Sequence, residues 1–259
     1  MKLGLKNKYA LVTGGSRGIG KAIALLLAEE GCNVAICARK QKEIKETVKE
    51  IKAKGVKSIG ISADVAVLKD VEKVVKTVID TWGTIHILIN NVGGGGRWGS
   101  LIVEETEENV WIDVYNKNVL AAIRFTMRAI PFMRRQKWGR VVTTSSIYGR
   151  EGGGRPWFNI AKSAEISLMK TLAMNPDLAK AQITFNSIAP GPVMIPGTGW
   201  EKKQKEDPEE FKKTIDNLPL GRLGTSEEVA NVVVFLCSER SSLINGACVA
   251  VDGGESKSF

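Results

Sequence analysis

The sequence predicts a doubly wound α/β fold, Rossmann-like, with one parallel sheet of about seven strands and helices on both faces. Three observations predict it. Short apolar runs, such as Ala10-Leu11-Val12 within Tyr9–Thr13 and Val34-Ala35-Ile36-Cys37-Ala38 after Asn33, recur along the chain; a strand buried on both faces reads this way. Between them lie stretches with apolar residues at helical spacing, the crossovers that parallel strands require. The first run also ends in Gly14-Gly15-Ser16-Arg17-Gly18-Ile19-Gly20, where a helix pattern begins at once.

That first unit aims unpaired helix-start N–H groups at a phosphate, and a side chain there would hold a pyrophosphate away from the backbone. Its spacing, T-G-x-x-x-G-x-G, differs from the G-x-G-x-x-G fingerprint of the common dinucleotide fold. The first helix is expected over Lys21–Glu30, a strand over Asn33–Ala38, and an amphipathic helix over Gln41–Lys54 with Ile44, Val48 and Ile51 on one face. A strand over Lys57–Ser62 and a helix carrying Val71, Val74, Val75 and Val78 follow. The strand Ile85–Ile89 runs into Asn90-Asn91-Val92-Gly93 and a flexible Gly94-Gly95-Gly96. One long helical region is expected from Thr106 to Gln136, bent or shortened near its end by Pro131. Strands Arg140–Thr144, Ile183–Ile188 and Ala247–Val251 alternate with a helix from Pro156 and another over Ser226–Cys237. Right-handed crossovers place the ligand crevice at the strand C-termini. No linker, repeat or low-complexity stretch divides the chain, so residues 1–259 are expected to form one domain. A Gly- and Pro-bounded insertion over residues 194–217 reads as a substrate lid.

Composition narrows the function. The 259 residues are 43% apolar and 25% charged, ordinary for a globular protein. Net charge is +9, much of the basic excess lying on the expected solvated face of Lys40–Lys54. No basic stripe is interleaved with aromatics, which argues against nucleic acid and for an anionic ligand such as a phosphorylated cofactor. Cys32, Cys37, Cys237 and Cys248 sit in apolar runs without a C-x-x-C pair, as reduced thiols do. His86 is the only histidine, excluding a His-based metal site and a Ser-His-Asp triad; it reads as a partly buried structural residue. No run approaches the ~20 apolar residues of a membrane span, and no signal-peptide core is present, so a cytoplasmic protein is expected.

In this order and spacing the chain resembles the short-chain dehydrogenase/reductase family, in its 3-oxoacyl-carrier-protein-reductase-like branch. The resemblance rests on Thr13-Gly14-x-x-x-Gly18-x-Gly20, Asp64-Val65, Asn90-Asn91-x-Gly93, Asn118, Ser145-Ser146, Lys162, Asn186 and Pro190-Gly191. Gly221-Arg222-Leu223-Gly224, Glu227-Glu228-Val229-Ala230 and Val251-Asp252-Gly253-Gly254 carry it to the C-terminal end. It implies a nicotinamide cofactor held by Gly14, Ser16, Arg17, Gly18, Ile19 and Gly20, with Asp64 and Val65 at the adenine end. It places Asn90, Asn91 and Gly93 beneath the nicotinamide-side ribose, and adds Pro190, Gly191 and Val193 to the cofactor set. NAD is selected by a carboxylate at the end of the second strand, and here that place reads Ala38-Arg39-Lys40. Arg39 and Arg17 would instead flank a 2′-phosphate, so NADP(H) is expected.

The resemblance also implies a carbonyl–alcohol interconversion in which Ser polarises the carbonyl, Tyr transfers the proton, Lys holds the ribose and Asn anchors a water relay. Hydride addition to C=O builds charge on oxygen that must be protonated. Asn118, Ser146 and Lys162 fit three of these places, Ser145 giving the alternative spacing for the Ser. The Tyr position is Phe158, within Pro156-Trp157-Phe158-Asn159-Ile160-Ala161-Lys162, and it has no proton to give. Three explanations stand: a crippled site that still binds cofactor, a substitute acid such as Tyr148 or a Lys162-bound water, or different chemistry. A cofactor-binding protein with little turnover, a sensor or subunit, is the rival from another class. Thr198 lies later than the carboxamide-contacting Thr of the family; Trp157 and Trp200 read as pocket or as core and hinge. Arg97, Arg150 and Arg155 read as contacts for an acidic substrate or as solvated loop residues. A homotetramer built across Glu108–Gln136 and Pro156–Leu172 follows by analogy.

Overall fold

Alternation along the first strand decides how the layers form. The structure is a computed structural model and describes residues 2–259. In β1 (Tyr9–Thr13), Ala10 and Val12 face one core while Leu11 faces another, as the two-residue period of a strand demands. α1 (Gly18–Glu29), β2 (Asn33–Ala38), α2 (Gln41–Ala53), β3 (Ser58–Ser62), α3 (Leu68–Trp82) and β4 (Ile87–Asn90) follow. Then come α4 (Glu108–Tyr115), α5 (Ala121–Gln136), β5 (Gly139–Thr144), α6 (Pro156–Ala173), α7 (Pro176–Lys180) and β6 (Ile183–Pro190). α8 (Gly199–Glu206), α9 (Pro208–Asp216), α10 (Ser226–Cys237) and β7 (Cys248–Val251) complete the chain.

The seven strands form one sheet in the order β3-β2-β1-β4-β5-β6-β7, every pair parallel. α1, α2 and α10 cover one face; α3, α5 and α6 cover the other. The order reverses between β1, which neighbours β2, and β4, so the C-terminal ends of β1 and β4 open the crevice that a doubly wound sheet offers a ligand. Three cysteines are buried and Cys248 is half-buried, all of them free thiols. No helix among the described residues is long and apolar enough to cross a membrane.

Three expectations are corrected. The strand expected over Ile85–Ile89 is Ile87–Asn90; at the N-terminal ends of β1 and β4 the Tyr9 N–H donates to the His86 imidazole Nδ1 (3.3 Å) instead of to a strand carbonyl. The single helix from Thr106 to Gln136 is divided: a 3₁₀ turn at Val103–Glu105 precedes α4, and a π-helical turn at Asn116–Leu120 separates α4 from α5. The cause is local. The Asn118 carboxamide donates to the carbonyl of Val114, four residues back, and competes with the backbone ladder there. Pro131 lies inside α5, which continues to Gln136 and ends at Lys137 in the left-handed region.

Candidate active site

The ends of β1 and β4 are tied together before any ligand arrives. Thr13 Oγ1 donates to the Ile89 carbonyl (3.2 Å) and accepts the N–H groups of Asn91 (2.9 Å) and Val92 (3.2 Å). Asn91 Nδ2 donates to Thr13 O at 3.0 Å. This bracing presses the glycine turn onto α1: a Cβ on Gly20 would stand 2.3 Å from Gly14 O and 2.4 Å from Asn91 Nδ2. Gly18 adopts φ +53°, with Ile195 of the 194–217 segment packed over it. No side chain caps the start of α1, so its first-turn amides are left for a ligand.

Around this cradle the charge is mostly positive. Arg17 and Arg39 are exposed, and neither guanidinium has a hydrogen-bond or ion-pair partner among the described residues. Lys117, half-buried 4.7 Å over the Trp98 ring, is a third cation; burial pushes its ammonium down, Arg39 adds to that, and Asp64 opposes it. Asp64 Oδ1 accepts the Ala66 N–H (3.0 Å), and its own N–H donates to Asp70 (2.7 Å), building the turn into α3; Val65 is buried beside it. Ser16 Oγ donates to Glu43 at 3.2 Å, and Lys40 at 3.0 Å holds that carboxyl below the ordinary carboxylate range.

The floor of the crevice is built from α6, β5 and the π-helical turn. Asn118 is fully buried, its Nδ2 donating to Gly94 O (2.9 Å) and its Oδ1 accepting the Gly94 N–H (3.1 Å). Lys162 is 4% exposed and donates to Thr144 O and to Glu165 Oε2, each at 3.0 Å. A Cβ on Gly93 would lie 2.8 Å from both Lys162 Nζ and Asn118 Oδ1, so only glycine lets the loop lie on this floor. Ser145 is buried and donates to Lys162 O (2.8 Å), whereas Ser146 is half-buried and accepts the Tyr148 N–H (3.2 Å). The Phe158 ring sits against Gly96, with Lys162 Nζ 5.6 Å from its centroid. Tyr148 packs on Gly154, and burial, then Glu255 and Glu151, push its phenol up.

Loop residues sort themselves by partner. Trp157 is core: it meets Trp111 edge-on at 5.3 Å and donates to Gly95 O (3.1 Å). Trp200 meets the Arg97 guanidinium at 5.6 Å, joining the 194–217 segment to the glycine-rich loop. Thr198 Oγ1 turns back to Ile195 O (2.6 Å). Arg155 binds the Ser100 carbonyl and Arg150 the carbonyls of Ser258 and Phe259, so both are engaged by backbone. Pro190 ends β6, the Gly191 N–H donates to Val251 O (3.2 Å), and Val193 is buried in a bridge to Gly224. His86 lies at the opposite, N-terminal end of the central strands, stacked on Tyr9, its pKa lowered to about 4 by burial and Lys8. No cluster of three or more metal-ligating side chains occurs among the described residues.

A family model described as Enoyl-(Acyl carrier protein) reductase matches residues 14–256. The 3-oxoacyl-[acyl-carrier-protein] reductase FabG of Staphylococcus epidermidis is 37% identical over 250 residues, covering 96% of this chain and 98% of the relative. The chain belongs to the short-chain dehydrogenase/reductase family. It falls in the 3-oxoacyl-carrier-protein-reductase-like branch and is an oxidoreductase acting on carbonyl and alcohol groups. Dehydrogenase/reductase SDR family member 4 of Pongo abelii is 37% identical over 254 residues, covering 96% of this chain and 88% of that protein. Among solved structures, L-sorbose reductase from Gluconobacter frateurii, complexed with NADPH and L-sorbose, superposes with a TM-score of 0.91 at 32% identity over 100% of both chains.

Three neighbours of the site escaped the sequence reading. Glu43 is marked by its place in the first turn of α2, three residues after Lys40. Lys117 is marked only by adjacency to Asn118. Glu165 had the clearest signal: it stands in the four-residue series Trp157, Ala161, Glu165, Met169, Ala173, all buried on one face of α6.

Proposed function

We propose that this protein is an NADP(H)-dependent reductase or dehydrogenase that interconverts a carbonyl and an alcohol by hydride transfer. The observation carrying the cofactor assignment is the pair of guanidiniums Arg17 and Arg39, without partners among the described residues, beside a glycine cradle that a Cβ at Gly20 would close. Gly14, Ser16, Gly18, Ile19 and Gly20 hold the pyrophosphate, Asp64 and Val65 the adenine end, and Asn91, Gly93, Pro190, Gly191 and Val193 frame the rest. Bound there, the cofactor supplies or accepts the hydride. Ser146 donates to the substrate oxygen, Asn118 holds the Gly94 loop, and Lys162, with two of its N–H groups taken by Thr144 O and Glu165, keeps one for the crevice. The name of the sorbose reductase complex, with its NADPH, supports the same reading.

A single domain over 1–259, with residues 194–217 as its lid, fits α8 and α9 lying beyond β6 and Ile195 resting on Gly18. Exposed Ile112, Tyr115, Met127 and Ile160 on α4, α5 and α6 support a homotetramer across those helices. Free thiols support a reducing, cytoplasmic setting. Phe158 favours a second reading, a cofactor-binding protein with little turnover. A fluorescence titration with NADPH beside a turnover assay on a ketone panel separates them: uptake with turnover supports the first, uptake with none the second.

A further inference from the structure

Glu165 is a carboxylate where the fold asks for an apolar side chain. It is 1% exposed, in the middle of the buried stripe of α6, and its one partner among the described residues is the Lys162 ammonium at 3.0 Å. Burial raises its carboxyl above the ordinary carboxylate range, and Lys162 offsets only part of that rise. Burying two charges costs several kcal/mol per ion, and a packed apolar pair of the same volume is as stable or more so. Packing alone therefore does not account for the pair. It lies beside Phe158, where the family's phenol is missing, and the remaining tyrosine of this region, Tyr148, faces carboxylates rather than a cation.

We propose that Lys162 is the proton donor of this site and that Glu165 is its positioning residue, holding the ammonium charged and aimed in place of the absent phenol. This rests on the reductase reading above. Two of the three ammonium N–H groups are taken by Thr144 O and Glu165, which leaves one to face the crevice under Gly93. As the carbonyl carbon gains its hydride, the π pair moves to oxygen. That oxygen takes a proton from Lys162 Nζ: one N–H bond breaks, one O–H bond forms, and Lys162 is left a neutral amine that regains a proton from water. Glu165 stays a carboxylate throughout, stabilising the charged donor before transfer. In the oxidative direction the same atoms run in reverse, the amine accepting the alcohol proton.

The groups around the pair are few. Lys117, from the π-helical turn, is the other ammonium that acts on the same region. β5 presents Arg140 only at its opposite end, and β6 carries no ionisable residue. Tyr148 faces Glu255 and Glu151, while Glu108, Asp113 and Tyr115 of α4 and Asp177 and Lys180 of α7 are exposed.

The test compares wild type, Glu165→Gln and Glu165→Gln/Phe158→Tyr. In apo protein, ¹⁵N-lysine NMR follows Lys162 Nζ with pH, and Glu165→Gln is expected to deprotonate at lower pH than wild type. With a ketone and NADPH, Glu165→Gln should lower kcat by about 10–100-fold and move the high-pH limb of the profile down, with NADPH Kd within about threefold. Installing the phenol in that background should restore most of the loss, because it brings its own proton. A purely structural role would lower kcat without moving the limb and without rescue. An unchanged ammonium titration, a kcat within about twofold of wild type, or failure of rescue with folding intact would each overturn the proposal. Absence of NADPH uptake by wild type would instead sink the reductase reading, and the donor role with it; the NMR arm would still report whether the pair exists.

Discussion

The buried pair makes a quantitative demand on stability. At 3.0 Å and an effective dielectric constant of about 20, the attraction between Lys162 and Glu165 is roughly 5 kcal/mol, offset by the desolvation of both ions. Removing one partner leaves a buried, uncompensated group, so Lys162→Met and Glu165→Leu should each cost about 3–5 kcal/mol. The double variant should cost far less than the sum, with a coupling of at least ~2 kcal/mol. Urea denaturation by linear extrapolation measures all four corners of the cycle. The pH dependence of Lys162→Met fixes the sign. Without the ammonium, only burial acts on Glu165, and burial raises its carboxyl above the ordinary 4.5. Such a group contributes stability that is present at acid pH and lost as pH rises through the raised value. The deficit should therefore be smaller at about pH 5 than at about pH 8. Single costs that add within ~0.5 kcal/mol, or a deficit flat with pH, would refute the reasoning.

Three further outcomes follow from particular contacts. Gly20→Ala forces a Cβ to 2.3 Å from Gly14 O, so it should cost about 1–3 kcal/mol in urea and weaken NADPH uptake at least about tenfold; a loss under ~0.5 kcal/mol would contradict the close packing. His86, lowered from 6.5 to about 4, should make stability fall as pH drops across that window, by roughly 1–3 kcal/mol after discounting for its partial exposure. His86→Gln should flatten that slope; an unaltered slope would mean that another group carries it. Glu43→Gln removes a carboxylate 3.2 Å from Ser16 Oγ and should tighten NADPH several-fold, by about 2–10, while leaving NADH unchanged; equal effects on both cofactors would place Glu43 outside the phosphate field.

Much of the fold was legible because the signals are local and redundant. Apolar strands such as Val34–Cys37 and a spaced valine face at Val71, Val74, Val75 and Val78 permit one period each, and the structure follows them. Boundaries were legible less well where a side chain competes with the backbone: the π-helical turn at Asn118 comes from a carboxamide donating to Val114 O, which no propensity encodes. In the site, Asn118 and Lys162 were found from motif spacing, and the structure brings both against Gly93. Ser145 and Ser146 could not be separated by counting; their partners, Lys162 O for one and the Tyr148 N–H for the other, do so in space. Glu165 escaped because its three-residue spacing from Lys162 is that of any exposed helix pair until the face of α6 that meets β6 is known.

Everything in the functional account depends on a crevice that grips a nucleotide carrying an additional phosphate. The direct measurement is a parallel fluorescence titration of the apo protein with NADPH and NADH, repeated with Arg17→Ala/Arg39→Ala. The account predicts NADPH tighter than NADH by at least about tenfold in wild type, and the two nearly equal in the double variant, since each charge-assisted contact contributes about 1.5–3 kcal/mol. Equal binding of both cofactors by wild type, or tighter NADH, would contradict it.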